Sequence, residues 1–446
     1  MTHRHTLIAL RATQRGAGAL AVMMLLLFST SIIAFYLNRD VLFEQKVSAS
    51  QVRATSAFEV AEAGIEWATG MLNSPYDINT SCAADASTNV SFRDKYVLVG
   101  GATAVTPATT TFPGCKINGT TLTCSCPALP VSGGESVASL GSTLQPGFTV
   151  SFETVSVNGS PDTQAVRVTS TGCTATTSAC KPLTTGSAAT TGSGDAWAQV
   201  SVILKVRPLM RAAPAAALTC GTSCQLGGSY NISNTDLGSN GMTINAGSAI
   251  TTGGGVSVST LPGQPQGTSQ VANDTALSSI SSNDADCSDS SMFQAYFGTT
   301  LAAYISSPQV RSIPNCTNPA TCGALVQAAV DAGYTDFYFP DGLSLNNSAP
   351  FSTLGASGVG NGVNIVSPGT IDINGNISIY GMLFSNSAVV NDLGTGTADI
   401  HGAMVTCAGY RNNGNGTLSY DPDALGGGAL RGTLLRVPGS WRDFTP

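Results

Sequence analysis

The feature that most constrains this chain is a short basic leader followed directly by an uncharged apolar run. The run extends from Ala17 to Leu37, about 21 residues, which is enough to cross about 30 Å of hydrocarbon as a helix. Arg4, Arg11 and Arg15 precede it and the leader has no acid, so we expect the N-terminus to face the cytoplasm. A secretory signal has its apolar core before the cleavage site, whereas here a site fits only before the core. Cleavage there would keep the anchor on the mature chain.

The apolar run continues as a pattern typical of one long helix. No proline occurs before Pro75, and no glycine lies between Gly18 and Gly64. Apolar residues then recur at alternating four- and three-residue steps, which predicts an amphipathic stripe: Ala54, Phe58, Ala61, Ile65, Ala68 and Leu72. We expect a single helix over residues 17–73, on the order of 80 Å long, with a membrane-anchoring half and an amphipathic half. A plain signal anchor followed by an unrelated helix is the alternative.

Two segments resemble the N-terminal domain of PilX-family type IV pilus assembly proteins, which are minor pilins. They are Gln14-Arg-Gly-Ala-Gly-Ala-Leu20 and Ala57-Phe-Glu-Val-Ala-Glu-Ala-Gly64, and the resemblance covers about the first 73 residues. It implies that prepilin peptidase removes the leader, residues 1–16, by cutting between Gly16 and Ala17. It also implies assembly with the major pilin and other minor pilins, with a pilus-tip adhesin as a further candidate partner. The expected location is the inner membrane, with the bulk periplasmic, and then the pilus or cell surface.

One position departs from the general pilin pattern. Pilins usually carry a glutamate at the fifth mature position, and here that residue is Ala21. PilX-like proteins and the K-type minor pseudopilins of type II secretion share this departure. In ordinary pilins the glutamate is expected to pair with the N-terminal amine of a neighbouring subunit, because an isolated charge in an apolar interior is costly. Ala21 therefore favours a subunit at or near the filament tip; placement along the shaft, with another acid compensating, is the alternative.

The composition is typical of an exported β-rich protein. Only 10% of the residues are charged, against about 25% in ordinary soluble domains, and there are 50 glycines. The net charge of −7 becomes about −10 once the three leader arginines are removed. An acidic chain is a poor match for nucleic acid or anionic lipid, so we expect no nucleic-acid partner.

The sequence predicts an α+β fold in which the long pilin helix is followed by two β-rich regions. Three alternating segments predict an antiparallel pilin body over residues 74–206: Phe148–Val155, Gln164–Thr171 and Ala196–Val206. Residues 207–217 are predicted to be a linker, and residues 218–446 a C-terminal domain.

An internal repeat sets the expectation for the C-terminal domain. Ile379-Tyr-Gly-Met-Leu-Phe-Ser385 and Ile400-His-Gly-Ala-Met-Val-Thr406 share an Ile-x-Gly pattern at an offset of 21 residues. This offset suits one coil of a β-helix, in which short strands stack on successive rungs. We expect a β-helix-like domain with a small helical insertion at about residues 283–345. A β-sandwich with long loops is the alternative.

All twelve cysteines lie beyond the apolar run, which predicts disulfides formed in the periplasm. Close spacing suggests Cys173–Cys180, Cys220–Cys224 and Cys316–Cys322, and Cys115 with either Cys124 or Cys126. The pairing of Cys82, Cys287 and Cys407 stays open. Zinc is disfavoured because the mature chain has one histidine, His401, and lacks two CxxC pairs.

Catalytic and cation-binding hypotheses have weaker support. Asn234-Thr-Asp236 and His401-Gly402 resemble fragments of the polygalacturonase signature, but no paired aspartates lie in a strand, and Asp284 and Asp286 fall in a polar loop. Calcium could use Asp372–Asn376 or Asn412–Gly416 near Asp421 and Asp423, although turn chemistry explains the same residues. We expect no enzyme activity, no metal and no cofactor. The alternative functions are a surface-anchored polysaccharide-binding or polysaccharide-cleaving β-helix, and a minor pseudopilin of type II secretion.

The leader generates the first prediction. Replacing Gly16 with a bulky residue such as leucine should leave the leader attached, because the peptidase site needs a small residue at the cytoplasmic boundary. N-terminal sequencing of the wild-type protein should begin at Ala17. A mature form that begins beyond Leu37 would contradict the pilin hypothesis.

Overall fold

The structure is a computed structural model of the chain. It describes residues 15–85, 87–88, 90–99, 104–130, 134–141, 145–176, 180, 196–282, 291–358, 361–387, 391–392, 398–412, 414–426 and 432–443. The predicted α+β architecture is confirmed: a long N-terminal helix, an antiparallel sheet and a C-terminal region of parallel strands.

One helix extends from Arg15 to Asn73, which are 59 residues and about 88 Å at 1.5 Å per residue. Residues 15–55 of the helix are exposed wherever their side chains are described. The remaining part packs on the sheet through the predicted stripe, in which Ala61, Ile65, Ala68 and Leu72 are buried and Phe58 is half-buried. Ala54 is the exception: it is exposed, because contact with the sheet begins only at Ala57.

The second half of the helix covers an antiparallel sheet, which we call the body sheet. Across the sheet its strands are Gly432–Arg436, Trp197–Pro208, Ser160–Cys173, Gly147–Val157, Gly114–Asn118 and Thr121–Ser125. The helix Phe92–Tyr96 and the parallel pair Thr111–Phe112 and Ser136–Val137 lie beside them. Phe148, Phe152, Val168 and Val202 are buried against the helix, so the core of this part lies between helix and sheet.

The edge strand of the body sheet comes from the far end of the chain. Leu434 pairs antiparallel with Val206, although residues 209–431 separate the two strands. The whole C-terminal region is therefore inserted between two neighbouring strands of the body sheet. The predicted boundaries, with residues 218–446 as one C-terminal domain, do not account for this strand, which has only five residues and no sequence signature of its own.

Residues 218–419 form a parallel β-helix. Every strand pair described there is parallel, which disagrees with a β-sandwich, since sandwiches are built from antiparallel sheets. The repeat predicted the register correctly: Ile379 pairs with Ile400 and Ser385 with Thr406. The strands are Leu218–Cys220, Cys224–Leu226, Asn231–Ser233, Ile244–Ala246, Ile250–Thr252, Ser257–Ser259, Gln270–Val271, Val310–Ser312, Asp336–Tyr338, Leu343–Asn346, Thr353–Leu354, Val363–Ser367, Ile371–Asn374, Ser378–Ser385, Asn391–Asp392, Asp399–Thr406, Tyr410–Asn412 and Thr417–Ser419.

The chain enters and leaves the β-helix near the middle of the stack of coils and not at its two ends. The first coils, from Leu218 to Val271, stack outward in one direction. The chain then crosses to the other end, enters at Val310–Ser312, and winds back until Asp399–Thr406 pairs with Leu218–Cys220. The first and last coils are thus neighbours. A buried ladder crosses this junction in register, from Leu383 to Met404, Leu218 and Ile244.

The repeated glycine has a physical reason. Gly381 and Gly402 have φ of +136° and +144°, a backbone conformation that L side chains rarely adopt. A Cβ at Gly381 would collide with the carbonyl oxygen of Val363, and one at Gly402 with that of Gly381. The strands that contain these glycines can therefore stack only if this position lacks a side chain.

Short helices cover part of the β-helix. They are Thr275–Ser282, Ser291–Phe297, Leu301–Ile305, Pro319–Asp331 and Pro422–Gly426, with a 3₁₀ turn at Gln266–Ser269. Phe293 and Phe297 contact Phe384 edge-on, with ring centroids 5.3 and 5.6 Å apart. Leu209 and Met210 join the same buried cluster, and Tyr296 accepts hydrogen bonds from the backbone of Arg211 and Ala212. Residues 207–217, predicted as a linker, are therefore packed against the domain that they precede.

Two glycines of the long helix provide a matched test of helix–sheet packing. A Cβ at Gly64 would lie 2.9 Å from the ring of buried Phe148, and closer still to Ser170 Oγ, whereas Gly70 has open space. Overpacking costs about 1–3 kcal/mol, and alanine is favoured over glycine in helices by about 1 kcal/mol. Gly64→Ala should therefore lower the free energy of unfolding of the full chain in detergent, whereas Gly70→Ala should raise it or leave it unchanged. Equal effects of the two substitutions would contradict this packing.

Candidate functional site

The apolar end of the long helix carries the longest run of exposed hydrophobic side chains among the described residues. Among the described residues, Gly18–Leu37 is the one helical segment long and apolar enough to cross a membrane. Leu25 and Phe28 are 70% and 67% exposed, so the segment requires a lipid or protein environment. Gly16 and Ala17 lie in the first turn of the helix, which begins at Arg15. Ala21 lies within the exposed segment.

The other end of the helix is joined to the edge of the body sheet. The side-chain amide of Asn73 donates to the carbonyl oxygen of Leu434 at 3.0 Å, and its oxygen accepts the Leu434 N–H at 2.7 Å. Asn73 thus supplies the hydrogen bonds that a further strand would make. Arg93, which is buried, donates to Asn73 Oδ1 at 3.3 Å and to the Leu72 carbonyl at 2.9 Å. Burial lowers the pKa of Arg93 to about 10, with nearby Asp94 opposing the shift, so Arg93 remains a cation at neutral pH.

A second contact joins the helix end to the β-helix. The Tyr334 hydroxyl donates to that of Tyr76 at 3.3 Å, and the two rings meet edge-on. A Cβ at Gly333 would collide with the Pro75 carbonyl, and the Arg311 guanidinium lies 5.7 Å from the centre of the Tyr334 ring. Burial first, and the Tyr76 hydroxyl second, raise the pKa of Tyr334 to about 12, so it stays protonated at physiological pH. The β-helix is therefore attached at the end of the helix that is opposite the apolar segment.

Five disulfides are described in full. The structure pairs Cys173 with Cys180, Cys220 with Cys224, and Cys316 with Cys322. It resolves the open choice for Cys115, which pairs with Cys124, while Cys126 pairs with Cys82. Cys407 is also disulfide-bonded, and Cys287 lies outside the described residues. Sequence spacing missed Cys82–Cys126 because 44 positions separate its ends.

Three of the residues considered for glycan hydrolysis are described, and each makes local contacts. Asn234 is buried, and its side chain bonds to Ser239 and to the Met242 carbonyl, while Asp236 accepts the Ser239 N–H at 2.7 Å. Both side chains therefore shape one turn. The ring of His401 stacks on Tyr380, with centroids 4.4 Å apart. Asp284 and Asp286 lie outside the described residues.

The described residues considered for calcium make hydrogen bonds that stabilise turns and the N-terminus of a short helix. Asp372 accepts a hydrogen bond from Asn374 at 2.8 Å, and the Asn376 N–H donates to Asn347. Asp421 accepts the N–H groups of Asp423 and Ala424 at the start of Pro422–Gly426, and Asn412 accepts that of Gly414. No group of three or more His, Cys, Asp or Glu that could hold a metal ion is present in the described part of the chain.

Comparisons with known proteins add little. No family model matches the chain, and no curated protein matches it. Among solved structures it is similar to the competence-associated pilin ComZ from Thermus thermophilus, at 13% identity over 88% of this chain and 97% of that chain, with a TM-score of 0.19. A likeness this weak carries no argument about function.

The Asn73 contact generates a prediction. Asn73→Ala should leave the N–H and carbonyl of Leu434 without these partners, at a cost of about 1–3 kcal/mol for each buried group left unsatisfied. Hydrogen exchange followed by mass spectrometry should then show faster exchange in the peptide containing Gly432–Arg436. Asn118→Ala, at an exposed strand end, is the control and should leave that peptide protected. Unchanged protection in Asn73→Ala would show that the contact does not hold the edge strand.

Proposed function

We propose that this chain is a minor pilin of a type IV pilus, of the PilX-like kind, that acts in pilus assembly or priming. The observation that carries the proposal is a single helix with two different halves. Its apolar N-terminal half is exposed, and its second half is buried against an antiparallel sheet. A subunit of this form can reside in the bilayer first and later pack its apolar half among other subunits. The major pilin and other minor pilins are the proposed partners.

We also propose that the subunit lies at or near the filament tip, where it displays the β-helix without catalytic activity. Ala21 brings no carboxylate to pair with a subunit ahead of it. The β-helix contacts the end of the helix farthest from the apolar segment, through Tyr334 and Gly333. A large domain at that end occupies space that the next subunit ahead would need. Both features favour a subunit that enters first.

Immunogold labelling of sheared filaments tests the tip placement. Label should be confined to fibre ends or to the cell envelope, and regular decoration along the shaft would rule the proposal out. A strain lacking this protein should lose pili while protein secretion stays normal. Lost secretion with normal pili would instead indicate a pseudopilin of type II secretion.

A pair of charge-matched variants tests the role of Ala21. Ala21→Glu should restore a carboxylate at the position that pilins use, and should add label along the shaft. Met24→Glu introduces the same charge on the same exposed segment at a position without that role, so it should not. Shaft label in both variants, or in neither, would contradict the role given to Ala21.

A further inference from the structure

One outer face of the β-helix carries two straight rows of polar side chains. The central residues of five stacked strands are buried and point inward, among them Ile379, Ile400 and Leu418. Because side chains alternate along a strand, the residues on either side of each point outward. Strand pairing aligns the first row in register: Tyr380, His401, Ser419, Ser233 and Ser259. It aligns the second row two residues earlier: Ser378, Asp399, Thr417, Asn231 and Ser257.

Both rows are open to solvent and regular. Every member is partly or fully exposed. The second half of the two long strands, Ser378–Ser385 and Asp399–Thr406, is buried, and Phe384 packs there against Phe293 of the helix Ser291–Phe297. Five rungs at about 4.8 Å give a face about 19 Å long. The rows cross the junction between the first and last coils, so the face exists only because the β-helix is wound from its middle.

Contacts along the rows hold the side chains in place. Tyr380 and His401 stack with an interplanar angle of 10°, the Ser233 hydroxyl donates to that of Ser419 at 3.0 Å, and Thr417 donates to Asp399. Groups that are already ordered on a rigid sheet lose little entropy when a ligand binds. On the other side of Tyr380 from His401 lies Gly355, where a Cβ would come within 2.7 Å of the Tyr380 carbonyl oxygen, so this position adds no side chain to the row.

The side-chain groups of the two rows favour one class of ligand. Its groups are hydroxyls, an amide, one carboxylate and two aromatic rings, and neither row contains a lysine or an arginine. Polyanions such as nucleic acids and acidic glycans are attracted by cations, which these rows lack. A neutral polysaccharide offers hydroxyl groups along its edges and an apolar C–H face for an aromatic ring, repeated along an extended chain. We propose that these two rows bind a neutral polysaccharide chain laid parallel to the β-helix axis.

The test is retention of the full-length protein on insoluble polysaccharides. The protein is kept in a zwitterionic detergent without a sugar head group, so that the detergent does not compete. Cellulose, chitin and mannan are the neutral probes, and immobilised alginate and double-stranded DNA are the anionic ones. We expect retention on at least one neutral probe and none above background on the anionic probes. This assay does not depend on the filament role, so either proposal can fail alone.

Three variants localise the binding. Asn231→Arg places a long cation in the second row and should abolish retention, and Tyr380→Ala should weaken it at least about tenfold. Gln225→Ala, exposed on a different sheet of the same β-helix, is the control and should bind as wild type. Unchanged thermal unfolding midpoints check that each variant is folded. Absence of retention on every neutral probe, equal retention by all three variants, or a preference for the anionic probes would overturn the proposal.

Discussion

The antiparallel pairing of Trp197–Pro208 with Gly432–Arg436 is the constraint on which the arrangement of the molecule depends. It brings the two ends of the inserted region, residues 209–431, side by side on the body sheet. A β-helix wound from one end to the other would separate its chain ends by its full length. Winding from the middle makes the first and last coils neighbours, as the pairing of Met404 with Leu218 shows. Insertion into a sheet and winding from the middle are thus two consequences of one requirement, that both ends return to adjacent strands.

Contacts beyond the two paired strands also hold the β-helix against the end of the long helix. Two adjacent strands alone would leave the β-helix free to tilt about their ends. The Asn73 amide fixes the edge strand to the helix end, and Tyr76 and Pro75 contact Tyr334 and Gly333 on the β-helix. Leu209 and Met210 are buried as soon as the chain leaves the sheet. The orientation of the large domain relative to the long helix is therefore set by contacts at three separate places.

Features that depend on residues close together in the sequence could be predicted, whereas features that depend on distant residues could not. The long helix, the three main body strands and the register between Ile379 and Ile400 depend on local periodicity or on a short repeat, and each was predicted correctly. The final strand, Gly432–Arg436, and the bond between Cys82 and Cys126 depend on partners far away in the chain, and neither has a local signature. Asn234 and Asp236 gave an ambiguous signal, because turns and active sites use the same small polar residues, and the structure shows both side chains bonded within one turn. The two polar rows could not be predicted, since two members of each come from residues 231–259 and three from residues 378–419, and only the coil stacking brings them together.

The two ends of the molecule differ in whether they require a lipid or protein partner. The apolar half of the helix cannot remain exposed to water, so the subunit depends on lipid or on neighbouring helices for about 20 residues of its length. The β-helix, by contrast, buries its own apolar core, and short helices cover part of its outer face. In the proposed pilin role, assembly contacts are therefore expected at the helix, and the proposed binding face of the β-helix lies toward the opposite end. That face would be accessible only where no further subunit covers it, and in a filament this place is the tip, which is why we propose the tip as its position.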